Sequence, residues 1–134
     1  MVRMDVDYIG EKKTMTEFCH ITPIKHLPLV KDRNFHLTLA HLIEESDEYA
    51  DFYLNRPKGQ VNIMDNSAFE MYKQDRPMYD SWKLVDLAKR VRANYIIMSD
   101  YPDQHSSVTQ SAAIRLAPVI KGEGFKTFYC PQSK

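Results

Sequence analysis

The chain has 134 residues, enough for one domain with a real core, and its 43% hydrophobic and 27% charged residues are globular proportions that exclude a disordered chain. The 18 basic and 18 acidic side chains cancel, which weighs against a broad basic surface for nucleic acid. No apolar run approaches the roughly 20 residues of a membrane span and no apolar h-region opens the sequence, so a cytoplasmic protein without membrane contact is expected.

Residues 1–17, with Glu11-Lys12-Lys13 and few apolar positions, read as a leader or short edge element ahead of a domain over 18–134. Phe18 to Ile24 reads as a first strand halted by Pro23, and Asn34 to Ala40 as a second. The stretch between them contains Pro28 and is too short for an ordinary crossover helix, so this connection is expected to be abbreviated. Ser46-Asp47-Glu48 supplies a capping hydroxyl and first-turn acids for a helix whose apolar face is Tyr49, Phe52 and Tyr53, ended by Pro57 and Gly59.

Val61-Asn62-Ile63-Met64 climbs to Asp65-Asn66 as a buried parallel strand ending in a polar pair. A polar loop from Lys73 to Tyr79 leads to Asp80 or Ser81, either of which can cap a helix with Leu84, Leu87, Ala88 and Val91 as its buried stripe. Arg90 and Arg92 suit the negative end of that helix. Tyr95 to Asp100 is the next strand. Ser106 or Ser107 then caps a helix to Lys121, with Ala112, Ala113, Leu116 and Ile120 inward, Pro118 implying a kink or an earlier end, and Gly122 as its stop. Phe125 to Gln132 closes the series. The order β, β, α, β, α, β, α, β predicts an α/β fold of about five parallel strands with crossover helices, a partial (β/α)8 TIM barrel.

Asp65 and Asp100 lie 35 positions apart, and Asp100 and Gln132 lie 32 apart. A barrel of about 250 residues spends about 30 on each strand and helix, so these polar residues would leave the same end of consecutive strands and meet at one pocket. The plainer alternative is that each merely forms a turn at its strand end.

Other chemistries have less support. Five histidines (His20, His26, His36, His41, His105) show no H-x-H or H-E-x-x-H spacing. His20 and His36 fall inside predicted strands and read as core residues. There is no G-x-S-x-G elbow, and the four glycines form no phosphate loop. Cys19 and Cys130 stand too far apart in sequence for a C-x-x-C pair and read as small buried apolar residues rather than a zinc site or disulfide framework. What remains is acid/base or base-recognition work by Asp65, Asn66, Asp100 and Gln132, whose carboxylates and amides can match donors and acceptors on a purine edge.

Met64-Asp65-Asn66-Ser67-Ala68-Phe69-Glu70 resembles the Asp-(Ser/Asn)-Gly-(Gly/Ala)-Phe-(Gln/Glu) signature of the tRNA-guanine transglycosylase superfamily. Its Asn, Ala and Glu variants, with His36-Leu37-Thr38-Leu39-Ala40-His41-Leu42 before and Ile97-Met98-Ser99-Asp100 after, look closer to the phage, DNA-modifying branch. The resemblance covers about residues 18 to 134 and rests at Gln132 on a single residue. It implies a (β/α)8 barrel on which guanine in DNA, or alternatively in tRNA, is exchanged for a 7-deazaguanine of the preQ0 type. Asp65 would then be the general acid/base, Asp100 and Gln132 would hold the base edge, and Asn66 would assist.

Two departures stand out. Ser67 occupies a position where the family has glycine. The family's nucleophilic aspartate and the zinc cluster of its tRNA enzymes belong to the following half of the barrel, so no metal or other cofactor is expected here. Asp103 is the nearest spare carboxylate, and no pattern marks it as the nucleophile. The expectation is therefore the N-terminal half of a split or truncated transglycosylase, completed by a second polypeptide or by self-association. The alternative is a non-catalytic remnant that binds purines or nucleic acid.

Overall fold

The computed structural model describes residues 2–8 and 11–132. Val2, Met4, Val6 and Tyr8 alternate with Arg3, Asp5 and Asp7, the period of a strand. Strand β1 (Val2–Tyr8) accordingly pairs antiparallel with β2 (Glu11–Glu17), Val2 opposite Glu17 and Tyr8 opposite Glu11. The stretch expected as a leader or edge element is thus a two-stranded sheet of its own, separate from the main one.

The strand expected over Phe18–Ile24 contracts to a single bridge. His20 lies parallel to His36, donating its N–H to the Phe35 carbonyl at 3.3 Å and accepting from the Leu37 N–H at 2.9 Å. Pro23 cannot extend such a ladder, and a 3-10 helix over Ile24–Val30, with Pro28 inside it, forms the abbreviated connection.

The main sheet then follows in chain order. It comprises β3 (Phe35–Leu39), β4 (Val61–Asp65), β5 (Tyr95–Ile97) and β6 (Lys126–Phe128), all parallel and adjacent as β3-β4-β5-β6. Two helices separate β3 from β4. Helix α1 (Ala40–Glu45) leaves the strand without a side-chain cap, and α2 (Asp47–Leu54) is capped by Ser46, whose hydroxyl accepts the Tyr49 N–H at 3.1 Å. Two more separate β4 from β5. Helix α3 (Ala68–Lys73) lies in a stretch given no element by the sequence reading, and α4 (Ser81–Arg90) is capped by Asp80 through the Lys83 N–H at 2.8 Å.

Helix α5 (Ser106–Gly122) precedes β6, and two expected boundaries move. Its cap is His105, whose ring Nδ1 accepts the Ser107 N–H at 3.2 Å, rather than either serine. The helix also runs past Pro118 and through Gly122, and the left-handed residue that follows it is Gly124 at φ 94°. Gly122 is helical, so the stop belongs to the glycine two positions later.

Side chains alternate between the two faces of a strand. Met64 on β4 and Ile96 on β5 are fully buried and join Ile43, Tyr49, Tyr53, Leu84, Val91 and Ile120 in one core beneath the helices. Each such side chain removed from water contributes roughly 1.5–3 kcal/mol. Arg56 is buried and closes the lower end of this layer. Its guanidinium donates to the carbonyls of Tyr53, Val91 and Arg92 at 3.0, 2.6 and 2.7 Å and to Asn94 Oδ1 at 3.1 Å. Arg90 stands in the last turn of α4 as expected and Arg92 just beyond it, and both side chains also reach across to neighbouring elements. Arg90 reaches the Ile43 carbonyl at 2.8 Å, and Arg92 reaches the Leu54 carbonyl at 2.7 Å, tying α4 to α1 and α2.

Among the described residues, the opposite face of the sheet carries no helix of this core. Right-handed crossovers between strands laid side by side in chain order place every connection on the same side. Leu37, Ile63, Ile97 and Phe128 therefore line an open groove of about 470 Å³, flanked by Cys19 and Ile21. Ile21, Phe128 and Tyr129 in this lining remain 59%, 44% and 42% exposed, apolar surface of a kind that marks interaction sites when it is contiguous. The molecule is an α/β protein with a four-stranded parallel sheet covered on one side. Among the described residues, no helix is long and apolar enough to cross a membrane.

Candidate functional site

All four residues singled out in the sequence gather at the carboxyl ends of β4, β5 and β6. Asp65 is the last residue of β4, and Asn66 follows it, buried. Asp100 lies just beyond β5 and Gln132 just beyond β6. The Asn66 amide donates to Asp100 Oδ1 at 2.5 Å and to the Met98 carbonyl at 2.7 Å. The Gln132 amide donates to Asp100 Oδ2 at 3.0 Å. Both oxygens of one carboxylate are thus held by amides from the two neighbouring strand ends.

Asp65 sits beside this group without a direct hydrogen bond to it. Its Oδ2 accepts the Ser67 N–H at 2.9 Å, while Asn66 Oδ1 accepts the Ala68 N–H at 2.9 Å. These two local bonds turn the chain sharply out of β4 into α3. Ser67 takes the left-handed conformation at φ 57°, the geometry that a glycine would adopt without strain. It is fully buried, and its hydroxyl accepts the His41 backbone N–H at 3.1 Å and lies 2.8 Å from His41 Nδ1.

The electrostatics follow from burial. Desolvation pushes the Asp65 carboxyl above its ordinary range, the Ser67 N–H offsets part of this, the charges of Glu70 and Asp100 add to it, and His41 opposes it. Desolvation also raises Asp100, against the lowering by its Asn66 and Gln132 hydrogen bonds. Both carboxyls at this strand rim are thus shifted upward from their ordinary range, chiefly by burial.

Three neighbours escaped the sequence reading. Cys130 is half-buried, lines the open groove and feels both Asp100 and Asp65, which add to the rise that burial imposes on its thiol. Its position two residues before Gln132 was the available signal. Glu70 Oε2 is buried with no hydrogen-bond partner among the described residues. His41 lies in the His36–Leu42 stretch quoted for the resemblance, where no role was given to it. The expectation of two core histidines holds for one of them: His36 is fully buried and 2.9 Å from Gln60 Oε1, though its Nδ1 has no partner among the described residues, whereas His20 is only half-buried. The cysteines are half-buried rather than buried, and both are free.

Among the described residues, no group of three or more His, Cys, Asp or Glu side chains is arranged to hold a metal ion. What the rim offers is a carboxylate accepting two amide donors beside a second half-buried carboxyl; the apolar groove of the sheet face is lined by Cys130, two residues before Gln132, and by none of the four rim residues. Comparison with family models, with curated proteins and with solved structures returned no match. The fold and site together define an α/β protein with a one-sided parallel sheet and a carboxylate–amide cluster at its carboxyl rim.

Proposed function

We propose that this chain is the base-recognising half of a guanine transglycosylase-type (β/α)8 enzyme that exchanges guanine for a 7-deazaguanine in DNA. The observation that carries the reading is the joining of Asn66, Asp100 and Gln132 across three consecutive strand ends. A carboxylate accepting two parallel N–H donors has the geometry that reads the N–H edge of a guanine-like heterocycle. The resemblance of residues 64–70 to the superfamily signature points to the same chemistry.

In this mechanism Asp65 protonates N9 of the departing guanine as its bond to the sugar C1′ breaks. A carboxylate from the remainder of the barrel takes C1′ as a covalent glycosyl ester. The N9 of the 7-deazaguanine then attacks C1′, the ester bond breaks, and the N9 proton passes to Asp65. The raised Asp65 pKa suits a group that gives a proton and then recovers one. A duplex substrate requires its target base to be unstacked and turned into the pocket. The bare sheet face and the free edge of β6 are where further strands would complete the cylinder.

Calorimetric titration with 7-cyano-7-deazaguanine, with adenine as control, tests the recognition step. Binding of the deazaguanine and not adenine, lost in Asp100→Asn, is the expected result, and equal or absent binding overturns it. Incorporation of labelled guanine into duplex DNA or tRNA tests the reaction, its two arms distinguishing the acceptors. Selective base binding with no exchange into either acceptor, even when a completing segment is supplied, assigns the chain to non-catalytic purine binding instead.

A further inference from the structure

We propose that His41 and Ser67 form a positioning pair that sets the direction of the Asp65 carboxylate. The inference rests on the acid/base role proposed for Asp65, but its geometry stands by itself. Ser67 is a buried, non-glycine residue in the left-handed region, a strained conformation that persists only where its surroundings enforce it. Two contacts from one residue enforce it here. The His41 N–H, in the first turn of α1, donates to Ser67 Oγ at 3.1 Å, and the His41 ring nitrogen Nδ1 meets the same oxygen at 2.8 Å.

Held this way, Ser67 aims its own N–H at Asp65 Oδ2 at 2.9 Å. No group among the described residues donates to the other oxygen, Oδ1, which is therefore the oxygen left to a ligand. The connection runs from α1 through the Ser67 hydroxyl and backbone to the carboxylate at the end of β4. A glycine at position 67 would adopt the turn without strain but would lack the hydroxyl that links it to α1.

Ser67→Gly separates a positioning role from a structural one, because glycine suits the backbone and removes only the Oγ link. The expected result is an unchanged or raised Tm with about tenfold weaker binding of 7-cyano-7-deazaguanine, the loss of one hydrogen bond between the misdirected Asp65 Oδ1 and the base. Carbon-detected NMR titration of the Asp65 carboxyl should show its pKa rising further, because the lowering supplied by the Ser67 N–H is loosened. His41→Ala should do the same. His41→Asn, whose amide can replace Nδ1 at the Ser67 hydroxyl, should restore binding and bring the Asp65 titration below that of His41→Ala, the remaining difference from the wild type being the direct charge effect of the lost imidazole.

Unchanged Asp65 titration in both Ser67→Gly and His41→Ala overturns the pair as a positioning device. If the wild-type chain fails to bind the deazaguanine, the functional reading falls, while the carboxyl titration still decides whether this pair orients Asp65.

Discussion

Asn66 and Asp100, 34 positions apart in sequence, are joined side chain to side chain across the ends of neighbouring strands. Asn66 also donates to the Met98 carbonyl, so its amide is fixed from the β5 side before any ligand arrives. Asp100→Asn places amide protons against the Asn66 and Gln132 donors, and only one of these contacts can be satisfied at a time. This variant should remain folded while its affinity for a guanine-like base falls at least about tenfold, read by calorimetry.

The pH dependence of stability has a defined sign. Asp65 and Asp100 have folded pKa values above the ordinary 3.8, so the folded state holds their protons more tightly than the unfolded state. Their stabilising contribution is complete below that ordinary value and is lost as pH rises through the raised folded values. Asp65→Asn keeps an oxygen for the Ser67 N–H and removes the buried charge. Its Tm should exceed that of the wild type near neutrality, and the difference should vanish below about pH 3.8.

Tyr49 is fully buried, and its hydroxyl accepts the Leu39 N–H at 3.0 Å, where β3 passes into α1. Tyr49→Phe preserves the ring and strands that amide, which should cost about 1–3 kcal/mol in urea unfolding.

Arg56 draws together the loop after α2 and the loop before β5 through planar, multiply donating geometry. Lysine has neither the fork nor the number of donors. Arg56→Lys should therefore lose most of what Arg56→Ala loses, about 3 kcal/mol by thermal or urea unfolding.

Phe128 stacks on Tyr95 with ring centroids 5.0 Å apart and is 44% exposed on the open sheet face. Binding of an apolar dye to the native chain should be substantial and should fall several-fold in Phe128→Lys. Sedimentation should show concentration-dependent association that the same substitution weakens. A strictly monomeric wild type with no dye binding would remove the argument that this face awaits a covering partner.

The sequence made visible those elements whose signals are local and strong. Ser46 and Asp80 cap their helices as their chemistry requires, and the Leu84, Leu87, Ala88, Val91 stripe is the buried side of α4. The convergence of Asp65, Asn66, Asp100 and Gln132 followed from spacing, because a repeating strand–helix unit converts an interval along the chain into a shared rim. Elements formed by tertiary context were not legible. Helix α1 begins directly at the end of β3 without a side-chain cap, α3 begins after the two-residue turn at Asn66 and Ser67, and the left-handed Ser67 is in contact with His41, distant in sequence. The hairpin β1–β2 was there to be read in the alternation of Val2, Met4, Val6 and Tyr8, and it was obscured by the charge of the stretch that follows.

The two amides on Asp100 have a consequence for selectivity. Because each oxygen of Asp100 already accepts an amide, a heterocycle docking here under the proposed function would have to share that carboxylate with Asn66 and Gln132, or return what it displaces. A ring edge bearing adjacent N–H groups can make that trade at little net cost, whereas an acceptor facing the carboxylate meets repulsion and leaves the glutamine in possession. Discrimination would then come from an occupant already seated, and the release of one side chain, close to the end of β6, would govern the rate at which the site opens.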